Sequence, residues 1–361
     1  MDIRLDTVLA RLDRQCLKYA FLNIGKAYDV LVTERWGRCL GPFGREGRSF
    51  LWLNPDIWES DESFGRALAG GLWNVGGERF WVAPEIRLNI KDRTNFLGSY
   101  ELPAAMDPGS WKLESGADRV SLSMSAELNL YNPAGGKLRY AVERSISPSP
   151  NPLASLRSFN GLMSGVEYAG YMHRIRFSLL PGSDAGACAE AWALCQLVPD
   201  GTIIVPCADG VEYEDYFEKA DAACMTIGGG AVRFTLTGKR RYKVGLRSAH
   251  LFGRAGYLRT AGLGLSNADG SGMADLFVRN YPNDPSSEYI EEPDFLPSCR
   301  GLSFHVYNDG GVFGGFGELE CNGRTIGGKA GRESTDDFSF WYFRGPTDSI
   351  RGISKALLGR S

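Results

Sequence analysis

The 361-residue chain carries a net charge of −3 and is 43% hydrophobic and 12% aromatic. Those values describe a folded globule with an ample core, not a disordered chain, and leave no basic field for nucleic acid. Glycine, at 46 residues, stands at nearly twice its usual ~7% without a Gly-X-Y period, which predicts many tight turns and therefore many strands.

The first residues, Met-Asp-Ile-Arg-Leu-Asp, are acidic and lack an apolar h-region, so no secretory signal is expected. No run approaches the ~18 apolar residues of a membrane span. The eight cysteines form no C-x-x-C pair and are sparse, so neither a zinc site nor a disulfide scaffold is expected. A cytoplasmic protein with reduced thiols follows.

Leu5, Val8, Leu9, Leu12 and Cys16 fall at helical spacing, which predicts an amphipathic helix over 4–18 within an N-terminal extension, 1–19. From Ala20 the pattern is one of short strands. Tyr28, Val30 and Val32 alternate, Gly44 to Gly47 predicts a hairpin turn, and the acidic stretch 56–69 has room for one helical turn.

Gly70 to Asn89 packs four glycines, two tryptophans, two arginines and two glutamates into twenty residues. Gly76-Gly77 is a turn signal, since glycine reaches φ > 0 freely. Phe80 and Val82 alternate with Trp81 and Ala83; Pro84, lacking an N–H, ends the strand or puts it at an edge. Ile86, Leu88 and Ile90 resume the alternation. The expectation is a bent strand carrying Arg79, Trp81, Glu85 and Arg87 near a sheet rim, where charged groups beside an indole suit a polyol. The alternative is a twisted strand with a solvated charged face and core tryptophans.

Residues 91–118 are loop-rich. Val120 to Leu130 alternates with polar residues along its whole length, the pattern of an antiparallel strand wet on one face. Asn132 to Gly136 turns the chain into Leu138, Tyr140 and Val142, and 146–155 reads as a crossover between sheets. His173, Ile175, Phe177 and Leu179 share a strand face. Residues 190–206 read as two strands around Pro-Asp-Gly, 213–224 as a second helix, and Val232 to Leu246 as a hairpin. A Gly/Ser/Asn-rich loop spans 260–272. Ala274 to Tyr281 is a strand, 282–300 a long acidic loop, and Leu302 to Tyr307, Gly314 to Cys321 and Phe338 to Phe343 are the last strands. The fold class is all-β: a large antiparallel sandwich in a single domain, 1–361, which excludes a doubly wound α/β sheet.

Four segments in order carry a family resemblance. They are Val32 to Leu40 with Gly47 to Pro55; Gly76-Gly-Glu-Arg-Phe-Trp-Val-Ala-Pro-Glu85; Lys243-Val-Gly-Leu; and Gly317-Glu-Leu-Glu320. Together they resemble the galactose mutarotase-like (aldose 1-epimerase-like) superfamily, in an uncharacterised branch. The resemblance implies a β-supersandwich whose concave sheet holds a carbohydrate. It also implies a late glutamate as base, matched here by Glu320 and next best by Glu318. The superfamily's two histidines have no counterparts. Where they would fall, the chain has Gly-Gly-Glu-Arg-Phe-Trp and Trp192-Ala-Leu-Cys-Gln196.

Glu318 and Glu320, two apart in a strand, share a face with Cα atoms ~6.5–7 Å apart. If desolvated they raise one another's pKa, so that one can act as base and the other as acid; the alternative is a solvated outer face. His173 shares its face with apolar residues, as a core histidine does. His305 lies on a polar face between Ser303 and Tyr307, which makes it the other acid candidate. His250 is not assigned. Trp81 is the expected stacking surface for a sugar. Arg79, Arg87, Lys243 and Arg247 could hold an anionic group. No His/Asp/Glu cluster has metal spacing, and no P-loop or Gly-x-Ser-x-Gly elbow occurs.

The expected function is therefore a carbohydrate-active protein using carboxylate acid/base proton transfer. Glu320, Glu318 and His305 would be catalytic, and Arg79, Trp81, Glu85, Arg87, Lys243 and Gln196 would bind the sugar. No cofactor or metal is called for, and the partner is a small saccharide bound by a monomer or homodimer, away from nucleic acid and membrane. The alternatives are a non-catalytic saccharide-binding protein on the same fold and a uronate-polymer lyase.

Overall fold

The computed structural model describes residues 3–260 and 272–359. All of the Gly/Ser/Asn-rich loop except its two end residues, 260 and 272, lies outside the described residues. Two long series of antiparallel strands build most of the molecule, linked by Tyr19–Gly25, Tyr28–Thr33 and Cys39–Phe43. In the first, Glu78–Ala83 pairs with Cys188–Leu197, followed by Gly317–Asn322, Leu302–Asn308, Tyr242–Arg247 and the short Tyr213–Asp215. The second runs Lys112–Ser115, Val120–Leu130, Gly136–Pro148, Glu167–Leu179, Glu333–Pro346, Met273–Asn280, Arg254–Arg259, Gly201–Pro206, Ala231–Leu236 and Met225–Gly228. The expected all-β, antiparallel sandwich is thus observed.

Alternation along each strand decides what faces what. Phe80, Val306, Leu319 and Cys321 point from the first series into one core shared with Tyr140, Ile175 and Phe177 of the second. The rings of Phe80 and Phe177 meet across the layers at 5.8 Å. Cys188–Leu197, the second strand of its series, is flanked on both sides and buried on both faces. Ala191, Ala193 and Cys195 face the core, while Trp192, Leu194 and Gln196 face the opposite side. That opposite side carries the site.

The Gly76-Gly77 pair makes a close backbone approach. Both residues have positive φ, 99° and 81°, and a Cβ on either would run into the carbonyl oxygens of Trp52 or Cys39. Gly77 N donates to Trp52 O at 2.9 Å, which sets the start of the Glu78 strand.

The N-terminal helix is Leu5–Arg14. Val8 and Leu12 bury themselves against Ile57, Trp58 and Phe64 in a second apolar cluster. The acidic stretch after Asn54 forms two helices, Pro55–Trp58 and Asp61–Ala69. Asn54 caps the first, and a reciprocal Ser60/Ser63 capping box starts the second.

The strand expected beyond Pro84 is instead a helical turn, Glu85–Leu88, with Asn89 N donating to Glu85 O at 2.9 Å. A proline that ends a strand can equally open a helix, whose first residues need no N–H partner. The helix expected over 213–224 is absent. Tyr213–Asp215 pairs with Val244–Leu246, and the Asp215 and Asp221 carboxylates bind nearby backbone N–H groups in the turns that follow. The strands at Val232 and Val244 exist but do not pair with each other. Ala231–Leu236 pairs in the second series and Tyr242–Arg247 in the first, because alternation fixes a strand's faces but not its partner. A C-terminal helix not read from sequence, Thr347–Leu358, lays Ile350, Ile353 and Leu357 over Leu276, Val278 and Phe343. Among the described residues no helix is long and apolar enough to cross a membrane.

Candidate functional site

The first strand series floors a cavity of about 260 Å³. Arg79 and Trp81 enter it from Glu78–Ala83, Trp192 and Leu194 from Cys188–Leu197, Glu318 and Glu320 from Gly317–Asn322, and Lys243 from Tyr242–Arg247. Glu85, at the start of the helical turn, completes the charged group. The early Arg-Trp stretch and the late twin acids therefore converge on one hollow.

Arg79 and Glu318 form a forked, almost fully buried ion pair. Nη1 donates to Oε1 at 2.5 Å and Nη2 to Oε2 at 3.3 Å. The guanidinium also lies over Trp81, 4.2 Å from the ring centroid, and over Trp73 at 5.0 Å. Trp81 is locked from the other side, its Nε1–H donating to Asp107 Oδ2 at 2.8 Å, and Asp107 in turn pairs with the buried Arg38 at 2.7 Å. Trp81 therefore reaches the cavity held in one orientation, with a cation already on its face.

Lys243 stands at the centre of the acids. Its Nζ is 3.5 Å from Glu320 Oε2, 3.7 Å from Glu85 Oε2 and 3.8 Å from Glu291 Oε1. These separations exceed the ~2.7–2.9 Å of a direct charge-assisted bond, so the amine and the acids form loose ion pairs and can both turn toward a hydroxyl placed beside them. Burial alone would lower the Lys243 pKa, but Glu320, Glu85 and Glu291 outweigh it and hold the ammonium above its ordinary value. Burial pushes Glu320 up to about 7, against Lys243 and with help from Glu318. Burial likewise pushes Glu291 up to about 8, with Glu85 adding to it and Lys243 opposing. Glu320 Oε2 and Glu291 Oε1 are buried without a hydrogen-bond partner.

Among the residues expected at the site, Arg79, Trp81, Glu85, Lys243, Glu318 and Glu320 line the cavity. His305, Gln196 and Arg87 do not. His305 is fully buried beside the floor, where Gly245 leaves the space its ring fills; a Cβ there would come within 2.8 Å of it. Its Nε2 meets Tyr216 Oη at 2.9 Å. Burial, with Lys243 nearby, depresses its pKa well below the ordinary histidine value. It therefore carries no acidic proton near neutral pH. Gln196 faces the cavity side but spends its amide on Asn74 Oδ1 at 2.8 Å. Arg87 is swung away by the helical turn, and Arg247 pairs with Glu214 at 2.8 Å and Glu212 at 3.1 Å. His173 is the satisfied core histidine expected, and His250 closes a short helical turn, 3.8 Å from Glu212.

Glu291 and Asp107 escaped the sequence reading. Both sit in loops without periodicity, and their reach into the site depends on how those loops pack. Glu291 Oε2 accepts from Glu85 N at 2.7 Å, which ties the acidic loop to the helical turn. Among the described residues no cluster of three or more His, Cys, Asp or Glu is arranged to hold a metal ion.

The chain is similar in fold to a candidate aldose 1-epimerase from Escherichia coli K12, with 10% identity, a TM-score of 0.46, and 90% of this chain and 99% of that one covered. It is also similar to a galactose mutarotase-like protein from Lactobacillus casei, with 8% identity, a TM-score of 0.42, and 90% and 100% covered. A galactose mutarotase related enzyme from Lactobacillus acidophilus gives 8% identity, a TM-score of 0.43, and 90% and 97% covered. No curated protein matches the sequence. A family model does match it, over residues 29–361, and the chain accordingly belongs to that family of unknown function, DUF6786.

Proposed function

We propose that this cavity binds a sugar and catalyses proton transfer at its anomeric centre, with Glu320 as the base. One observation carries the reading: a fully buried carboxyl on the cavity wall, held near neutrality, with one oxygen unpartnered and a lysine ammonium 3.5 Å away. A base with that pKa is matched to neutral-pH work. The sequence resemblance to sugar epimerases points the same way.

In this scheme the anomeric hydroxyl gives its proton to Glu320 as the C1–O5 bond breaks. The ring oxygen takes a proton from the Lys243 ammonium, which stands 3.5 Å from Glu320. An open-chain aldehyde results, C1–C2 rotation exposes the other face, and the reverse transfers close the ring. Glu318 does not supply the acid, since Arg79 occupies both its oxygens; its work is to hold Arg79 on Trp81. With Arg79 paired and Lys243 ringed by acids, the floor suits a neutral sugar better than a uronate.

A second reading, saccharide binding without catalysis, draws support from the fact that no histidine lines the cavity. The deciding experiment follows mutarotation of a sugar panel by NMR exchange. Catalysis by the wild type and a roughly 10²–10⁴-fold loss in Glu320→Gln, with the fold intact, is expected. Sugar binding with no acceleration selects the second reading. Undiminished turnover in Glu320→Gln removes Glu320 from its role.

A further inference from the structure

The charged floor is only part of the concavity. Around its mouth stand Phe96, Leu97, Phe217 and Phe313, with Arg241 among them. Leu97 is 65% exposed and Phe313 40%. Apolar side chains grouped at the mouth of a polar pocket offer a surface on which a ligand can lie.

The rim is built to stay in place. Asp309, fully buried, accepts from the backbone N–H of Phe313 at 2.9 Å and of Gly315 at 2.9 Å, and from the Tyr307 hydroxyl at 3.0 Å. Asn74 Nδ2 donates to Phe313 O at 2.6 Å from the other side. Phe96 and Phe217 meet edge-on at 6.2 Å. The Arg241 guanidinium lies 4.1 Å from the Phe217 centroid. Its Nε is buried without a hydrogen-bond partner, and no ion pair engages it among the described residues. Unlike Arg79 and Lys243, this cation has donors to spare.

The geometry points to a second subsite. The cavity takes only the reducing-end ring of a ligand of two or more sugar rings, and the rim receives the next ring. The cavity holds about 260 Å³ even with the rim residues counted in its lining, below the ~300–1,000 Å³ of pockets that swallow a drug-sized ligand, so it encloses one ring and a second must lie against the exposed rim side chains. The C–H face of a second ring would lie on Phe313, Leu97 and Phe217, and its hydroxyls would take the free Arg241 donors. The reducing end is placed inside because Glu320 and Lys243 are there. This rests on the sugar-binding reading proposed above.

The test titrates the full-length protein with monosaccharides and with disaccharides bearing the same ring at the reducing end. The pairs are glucose with maltose, cellobiose and lactose; N-acetylglucosamine with chitobiose; mannose with mannobiose; and galactose with galactobiose. At least one disaccharide should bind about tenfold tighter than its monosaccharide. In Arg241→Ala and Leu97→Ala that ratio should fall toward one. A monosaccharide that binds while no disaccharide binds tighter overturns the second subsite and leaves the pocket reading standing. A disaccharide advantage that survives both substitutions also overturns it. Dimerisation in solution that Leu97→Asp abolishes would overturn it as well, because another copy would then cover the rim. If no sugar in the panel binds, the pocket reading falls and the subsite with it.

Discussion

Arg79 and Glu318 lie 239 residues apart in the chain and meet in a forked ion pair that is almost wholly removed from solvent. The contact joins the first strand of its series to the third through the intervening strand Cys188–Leu197. Taking one partner away strands a buried charge, which costs about 3–5 kcal/mol, whereas replacing both with apolar groups of similar size costs far less. Urea unfolding of Glu318→Gln should show a loss in that range. The double variant Arg79→Met/Glu318→Leu should be more stable than the sum of the single losses. Additive losses would mean that the two side chains do not couple.

Lys243 sets the protonation of its neighbours. It lowers the pKa of both Glu320 and Glu291, which burial otherwise raises. Lys243→Met should therefore move the midpoint of the Glu320 titration alkaline, by roughly one to three pH units for a lost opposite charge at this range. An NMR titration of the Glu320 carboxyl, which does not depend on the turnover that loss of Lys243 removes, reads this shift. An unmoved midpoint would separate Lys243 from Glu320.

The same carboxyls tie stability to pH. Glu320 is held at about 7 and Glu291 at about 8 in the folded protein, against ~4.3 in an unfolded chain. Between those values the folded state keeps protons that the unfolded state has lost. Each group's contribution is complete below about pH 4.3 and drains away as pH rises through its folded value, at up to ~1.4 kcal/mol per pH unit. His173 works the other way. Burial holds it at about 4, so its contribution is lost as pH falls from about 6.5 to about 4. Above pH 6.5 only the carboxyl effect remains, and thermal stability should decline from pH 6.5 to pH 8. Glu291→Gln should show a shallower decline than the wild type over that interval, and a parallel decline would contradict the assignment.

What the sequence disclosed was orientation. Period-two alternation put Arg79 with Trp81, and Glu318 with Glu320, on one face each, and both faces are the cavity face. It also put Lys243 on the polar side of its strand. Alternation is silent about partners: proximity in sequence predicts a hairpin of the Lys243 strand with the strand at Val232, whereas it pairs with Leu302–Asn308. The same limit explains His305. Its face follows from the alternation, but Tyr216, which meets it from the other side, sits in a stretch whose pattern predicts a helix. Arg87 leaves the expected rim because Ile86, Leu88 and Ile90 fit a strand period across what is one helical turn. Glu291 could not be found at all, since an acidic loop carries no pattern that says which of its carboxylates points inward.

Glu78, one residue before Arg79, shows what the opposite face of that strand does. Its carboxylate is fully buried between the two layers. It accepts from Arg279 Nη2 at 2.6 Å, from His173 Nδ1–H at 2.7 Å and from the Tyr171 hydroxyl. Arg144 Nε donates to His173 Nε2 at 2.9 Å, which fixes the neutral tautomer. Burial would raise the Glu78 pKa, but Arg279 and His173 outweigh it and hold the carboxyl well below its ordinary range. Glu78→Gln leaves Arg279 without its counter-charge and should cost about 3–5 kcal/mol in urea unfolding. The side chain points into the core and away from the cavity, so the folded fraction of this variant should keep the pH midpoint assigned to Glu320. A shifted midpoint would mean that the core network and the cavity acids titrate as one system across the strand.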